Sequence, residues 1–403
     1  GGPFSALRRW VKDQNGAKES YKDRKIDHPF FQKTILTLTQ LSSADTLSAM
    51  KRTTTSLHGD TQENRSTGNP DPDANLFSTP DHVIWGYLAV DLPPALSIKP
   101  GQIVRIDTVS HQGITTDQDP VKFFGEYDIP ADQIVPEAAA IYSHVKRPKG
   151  SGVHVLTGPI YIEGAEPGDM LEVRVLDIQF RVPYGINNTG NGRGVLPDLL
   201  SEPSRKLIRL DLERKMALFS KDIEIPLNPF MGIMGVAPSK STGMVSSTPP
   251  GPWGGNMDLK LLTKGATLYL PVLNKGAQFF TGDGHALQGD GEVDGGAVEI
   301  SLTPTFQFCL HKKRKLRFPM AETRADYVLM GLSEDMNEAT QLAVEEAVIF
   351  LQRIKTMSAA DAYALASLAV DLAIGEAVDI VNLVYARIPK GLFRDNPLYW
   401  YEG

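Results

Sequence analysis

Apolar and polar residues alternate along much of the chain from Val83 onward, and that period of two predicts strands. Leu171-Glu172-Val173-Arg174-Val175 places three apolar side chains on one face of such a strand. It is entered through Glu166-Pro167-Gly168-Asp169, where Pro second and Gly third suit a type II turn. Lys99-Pro100-Gly101-Gln102 repeats the device ahead of residues 103–109, and Lys264-Gly265 precedes residues 266–272. The spacing of these turns is irregular, which argues against a solenoid repeat.

Beyond residue 334 the period lengthens to that of a helix. Met336, Ala339, Ala343, Ala347, Phe350, Leu351 and Ile354 fall on one stripe of a helix over residues 334–355. Ser358, with Asp361 three positions on, resembles a capping box. The small and aliphatic run over residues 362–374 then predicts a second, mostly buried helix. The first 80 residues read differently. Residues 8–25 are polar and of mixed charge, residues 30–50 can hold one strand or short helix, and residues 51–80 have the Thr, Ser, Asn, Asp and Pro content of a linker. The apolar knot Phe30, Phe31, Ile35, Leu36 and Leu38 is expected to dock on the main body or a neighbouring subunit. The expected organisation is an extension and linker over 1–80 and one domain over 81–403. That domain has a β-rich body (81–330) and a helical C-terminal part (331–403). The fold class is α+β, mainly β.

Composition narrows the function classes. The 403 residues include 36 glycines and 28 prolines, which fits many turns between short strands. Hydrophobic residues make up 41% and charged residues 22%, ordinary for a globular protein. The net charge of −7 argues against a nucleic-acid partner, and no apolar run approaches the ~20 residues of a membrane-spanning helix. The basic run from His311 to Arg317 reads as a solvated strand end, with an oligomer contact or anion site as the alternative. The single cysteine, Cys309, excludes an intrachain disulfide and sits in a strand-like stretch as a core thiol. The Gly-Gly-Pro start fits a removed leader or an expression scar equally, so both a cytoplasmic and an exported protein stay open.

Three clusters can carry chemistry. Gly282-Asp283-Gly284-His285-Ala286-Leu287-Gln288-Gly289-Asp290-Gly291-Glu292-Val293-Asp294-Gly295 spaces carboxylates and an imidazole with glycines. That is a ligand set for a hydrolytic divalent metal, although a structural cation loop and a merely polar glycine-rich loop stay open. An EF-hand register starting at Asp290 fails, because Ser301 stands where the bidentate Glu belongs. Pro249-Pro250-Gly251-Pro252-Trp253-Gly254-Gly255-Asn256-Met257-Asp258 offers backbone amides and polar side chains to an oxyanion, or is a tight loop around a buried Trp. His154, in Val153-His154-Val155, is either a ligand or a satisfied core histidine. Trp85-Gly86-Tyr87 is either a pocket wall or aromatic core. A nucleophile elbow, a P-loop, HExxH and CxxC are all missing.

Three stretches together resemble the acetamidase/formamidase family: residues 154–169 (HVLTGPIYIEGAEPGD), 250–258 (PGPWGGNMD) and 282–292 (GDGHALQGDGE). Trp85 to Tyr87 and the helical residues 361–367 agree with it, and the likeness runs in order over about 80–393. The resemblance implies a β-sandwich body with a jelly-roll-like portion, a smaller β subdomain and a C-terminal helical pair. It also implies homo-oligomerisation, dimeric or trimer-based, and hydrolysis of formamide, acetamide or a related short amide. A divalent cation, Zn or Ca, is implied at Asp283 and His285, completed by Asp258 or His154. Glu292 or Asp290 would move the proton, and Asn256 with the Gly254 and Gly255 amides would hold the oxyanion. Trp85 and Trp253 would wall the acyl pocket. One rival is a non-catalytic, calcium-stabilised β-sandwich that binds carbohydrate or a protein. The other is the same fold acting on a bulkier amide.

Overall fold

Glycine and proline turns deliver the strands that alternation predicts, and the strands gather into two large sheets around one core. The computed structural model describes residues 71–114, 119–190 and 192–394. The readings on residues 1–70, including the apolar knot, lie outside the described residues.

The larger sheet has nine strands, in the order Ala74–Leu76, Ile103–Ile106, Leu302–His311, Met170–Phe180, Thr267–Pro271, Met320–Glu322, Asp326–Ser333, Asn382–Pro389, Asp371–Glu376. Only its first pair is parallel. The second sheet runs Gly254–Asn256, Phe230–Val236, Phe279–His285, Val155–Ile162, Val83–Trp85, and Leu96–Ile98 pairs alongside Val155–Ile162. Tyr184–Thr189, Ser204–Asp211, Met216–Ser220 and Ile223–Pro226 form a separate four-stranded meander.

The two large sheets face each other. Phe279 of the second sheet stacks edge-on against Phe306 and Phe308 of the first, with ring centroids 5.9 and 5.1 Å apart. Leu171, Val173 and Val175 point into this shared core, as their alternation predicts. Their neighbour Met170 points the other way, into a second cluster with Tyr269, Tyr327 and Leu329. That opposite face is covered by the helix Met336–Lys355, whose Ala339, Ala343, Ala347, Phe350 and Leu351 are buried. The approach is close: a Cβ on Gly331 would lie 2.1 Å from the Ala339 carbonyl oxygen.

The second helix, Ala359–Ala369, begins at Ser358, which accepts a hydrogen bond from the Asp361 amide. Two expectations are corrected here. Ala362 and Ala366 are buried, but Tyr363 is 64% and Leu368 84% exposed, so this helix is not mostly buried. Its apolar residues surround the whole cylinder, and among the described residues only one stripe is buried against the rest. Nor do residues 331–403 stay helical. Residues 371–376 form the edge strand Asp371–Glu376, paired with Asn382–Pro389. The end of that strand and the turn after it bring two carboxylates, Glu376 and Asp379, beside Asp258 and Glu292.

Candidate active site

Asp283 and His285 were expected in a loop, yet they lie on Phe279–His285, a central strand whose seven residues are all buried. The flanking glycines serve close packing here. A Cβ on Gly282 would meet the Val155 carbonyl at 2.3 Å, and one on Gly284 the Ile300 carbonyl at 2.5 Å. Positions two apart on a strand share a face, so both side chains leave the sheet on one side. His154 precedes the neighbouring strand Val155–Ile162. Asp258 follows the strand Gly254–Asn256, and Gly232 lies opposite them on Phe230–Val236.

These elements bring His154, Asp258, Asp283, His285 and Glu292 together with two residues that the sequence reading missed, His111 and Glu299. His111 Nδ1 lies 3.6 Å from one Asp283 oxygen, and His154 Nε2 lies 3.7 Å from the other. His285 Nε2 is 3.3 Å from Asp283 and 3.4 Å from Glu299, while its Nδ1 is 3.6 Å from Asp258. The His111 and His154 rings meet edge to face at 5.3 Å. His154 is oriented by Ser247, whose hydroxyl lies 2.9 Å from Nδ1, and Glu299 by the Ala297 amide at 3.0 Å.

Burial sets the electrostatics. It strips His154 of its proton down to about 4, even with Asp283 alongside. Burial alone would raise the Asp283 carboxyl, but His154 and His285 hold it well below the ordinary carboxylate value. It would likewise deprotonate His285, yet Glu299 and Asp283 hold that imidazole well above its usual range. Asp258 and Glu292 are pushed well up by burial, reinforced by neighbouring carboxylates.

A cavity of about 500 Å³ opens onto this cluster and is lined by His111, His154, Asn256, Asp258, Asp283, Glu292, Glu299, Arg193 and Asp379 among others. A wider groove of about 750 Å³ around Arg174 and Lys260 shares no residue with it. Several expected residues do not line the cavity. Asp290 pairs with Lys260 at 2.7 Å and accepts from the Tyr385 hydroxyl at 3.1 Å. The Trp85 indole donates to the Val153 carbonyl at 2.8 Å within the main core, and Trp253 packs against Gly251 and Gly255. The Gly254 amide is engaged by the Gly251 carbonyl at 2.9 Å. Asn256 reaches the cavity but donates its amide hydrogen to Asp379.

The donor set fits a divalent cation. One atom each from His111, His154 and Asp283 lie within 4.8 Å of one another, as do one each from Asp283, His285 and Glu299. Tetrahedral ligands roughly 2.0–2.1 Å from a zinc-class ion stand about 3.3–3.5 Å apart, close to the separations above. Those separations exceed a charge-assisted hydrogen bond of about 2.8 Å. No donor reaches Asp258 Oδ1, and neither His285 ring nitrogen makes a well-formed hydrogen bond. Gly232 completes the cradle, because a Cβ there would strike Asp258 Oδ1 at 2.4 Å, Asp283 Oδ2 at 2.7 Å and His285 Cε1 at 2.9 Å.

Comparison with known proteins supplies the family. The family model described as Acetamidase/Formamidase family matches residues 81–247 and 243–395. A formamidase of Methylophilus methylotrophus is 26% identical over 308 residues, 61% of this chain and 71% of its own length. An acetamidase of Mycolicibacterium smegmatis is 27% identical over 283 residues, 55% of this chain and 64% of its own. The crystal structure of an acetamidase from Bacillus halodurans superposes with a TM-score of 0.66 at 27% identity, over 80% of this chain and all of that one. The matched residues include every one of the buried cluster around Asp283, and the chain belongs to the acetamidase/formamidase family of amide-hydrolysing enzymes.

Proposed function

We propose that this chain hydrolyses a short aliphatic amide to the carboxylic acid and ammonia, with a divalent cation held by His111, His154 and Asp283 beside His285. The observation that carries the reading is the buried His/Asp/Glu cluster lining the cavity, in a chain of this family. A cation of zinc or calcium class would polarise the amide carbonyl and acidify an attacking water. His154 is suited to such a role because its buried imidazole is neutral and Ser247 fixes its orientation.

The remaining steps fall to the protein's own groups. Glu292, at the cavity wall, accepts a proton from the water as its oxygen bonds to the carbonyl carbon. It returns that proton to the amide nitrogen as the carbon–nitrogen bond breaks, so one water and one amide give acid and ammonia. Arg193 at the cavity lining offers its cation to the carboxylate product. The rival reading as a non-catalytic sandwich gives way to family membership.

A second reading keeps the chemistry and enlarges the substrate. A cavity of about 500 Å³ is in the range that accommodates drug-sized ligands of some 300–1,000 Å³, far more than formamide needs. Ammonia release from a panel running from formamide to bulky acyl amides, with zinc or calcium supplied, tests both. Release from small amides supports the first reading, and release from bulky amides alone supports the second. Silence across the whole panel sinks both.

A further inference from the structure

The alternation that turns Leu171, Val173 and Val175 into the core leaves Glu172 and Arg174 on the outer face of the nine-stranded sheet. Arg174 pairs with Thr267, and Thr267 pairs with Glu322 on the next strand. This cross-strand row lines the groove of about 750 Å³ that lies apart from the catalytic cavity. In the sheet order Arg174 stands on one side of Thr267–Pro271, while Arg387 and the segment carrying Arg324 stand on the other. The loop leading into Thr267–Pro271 adds Lys260 and Lys264, and Lys390 follows the end of Asn382–Pro389.

These six cationic side chains line the groove against three carboxylates, Glu172, Glu322 and Asp326. The excess is local, because the chain as a whole carries −7. The three carboxylates are already engaged. Glu172 accepts from Arg174 and faces His311, each at 2.5 Å; Glu322 accepts from the Tyr269 hydroxyl at 2.8 Å and from Lys390. Asp326 lies 3.3 Å from Arg387 Nη2. Lys260 and Lys264 lean outward on Asp290 and Asp177, at 2.7 and 2.9 Å, and neither of those acids lines the groove. An ammonium has three N–H donors, so each lysine keeps donors beyond the one spent there. Two further observations show unmet donors. Arg324 makes no ion pair or side-chain hydrogen bond among the described residues, and no acceptor reaches the buried Arg387 Nε.

We propose that this groove binds a small anion carrying two or more phosphate groups, at a site separate from the amide-hydrolysing cavity. Cations surround the space from several elements, and a tetrahedral phosphate presents three acceptor oxygens and up to two charges to them, whereas a carboxylate presents two oxygens and one charge. The volume falls within the roughly 300–1,000 Å³ of small-molecule sites. Recognition stops at the phosphates. The one aromatic residue lining the groove, Tyr269, is 3% exposed and offers no face on which a nucleobase could stack.

The test titrates the full chain with sodium tripolyphosphate by calorimetry at low and moderate salt, with citrate and ATP as companion probes. One saturable tripolyphosphate equivalent is expected, weaker at higher salt, with citrate at least tenfold weaker and ATP no tighter. The K264E/R324E variant, which reverses two exposed cations of the groove, should weaken tripolyphosphate at least tenfold. K122E/K221E changes the net charge equally at exposed lysines outside the groove and should leave binding within twofold. Absence of saturable tripolyphosphate binding to the wild type overturns the proposal. Equal weakening by the two double variants overturns it as well, since the protein's overall field would then be what the anion senses. Citrate binding as tightly as tripolyphosphate, or ATP binding far more tightly, overturns the assignment to phosphate groups alone.

Discussion

Replacing Gly232 by alanine adds one methyl group where Asp258, Asp283 and His285 converge. The backbone there has no positive φ, so the substitution tests space alone. Ordinary van der Waals contact begins near 3.4 Å, whereas the new carbon would sit 2.4 Å from Asp258 Oδ1 and 2.7 Å from Asp283 Oδ2. Each carboxylate must therefore retreat by about 0.7–1 Å. Overpacking of this kind costs about 1–3 kcal/mol of stability, a loss of only a few degrees in Tm for a chain of this size. Misplacing reacting groups by about 1 Å costs on the order of 10²-fold in rate. Gly232→Ala is thus expected to lower kcat/KM for amide hydrolysis roughly 10²-fold while far-UV circular dichroism stays unchanged. Gly289→Ala is the control, since a Cβ there meets nothing within 4 Å, and it should be silent. A Gly232→Ala enzyme with wild-type kcat/KM would refute the placement of these side chains around one reacting centre.

Three further outcomes follow from the same geometry. Asp283→Ala, which removes the carboxylate shared by His111, His154 and His285, should cut turnover at least about 10²-fold; near-normal ammonia release from the folded variant would make the cluster structural. Asp169 accepts from Lys312 and from the amides of Lys313 and Glu166; burial opposes its ionisation, but these donors hold its carboxyl below the ordinary value. Its contribution is complete above the unfolded value near 4 and fades as pH falls through the lower folded one, so the ~1–3 kcal/mol cost of Asp169→Asn at pH 7 should shrink toward pH 3. Denaturant melts showing a pH-independent difference would contradict that. Gly331→Ala should destabilise by about 1–3 kcal/mol or more, because its Cβ would overlap the Ala339 carbonyl and the Ala343 amide; a variant with an unchanged midpoint would mean the helix packs elsewhere.

Local patterns were readable wherever their cause is local. The stripe from Met336 to Leu351 needs only the 3.6 period, and the turn at Pro167-Gly168 needs only the φ of +93° that Gly168 adopts. Asp283, His285 and Glu292 stood out because they are crowded in sequence. The same crowding misled the assignment of secondary structure. Glycine beside Asp and His reads as a turn, yet Gly282 and Gly284 are there because neighbouring strands leave no room for a Cβ. Glu299 was missed as a lone charge between Val298 and Ile300, although a single carboxylate in an otherwise apolar run is itself a signal of a buried polar role. Glu376 and Asp379 were hidden because the run from Ala362 continues apolar past the helix end, and nothing local shows where it turns into a strand. His111 belongs to the site only through pairing that joins distant parts of the chain. Asp290 looked equivalent to Glu292 two positions away, but a lysine and a tyrosine claim it.

The hairpin that brings Glu376 and Asp379 back also sets the order in which the buried cluster can come together. His111 and His154 leave the ribosome early, the central strand with Asp283 and His285 follows much later, and the two hairpin carboxylates come later still. Nearly every contact among them is non-local, so loop-closure entropy must be overcome before any of them is rewarded. A nascent chain halted between residues 334 and 375 carries most of the β body yet lacks the carboxylates of Glu376 and Asp379 that sit against Asp258 and Glu292. Completion of that carboxylate group is thereby coupled to completion of the nine-stranded sheet, whose edge strand Asp371–Glu376 delivers Glu376.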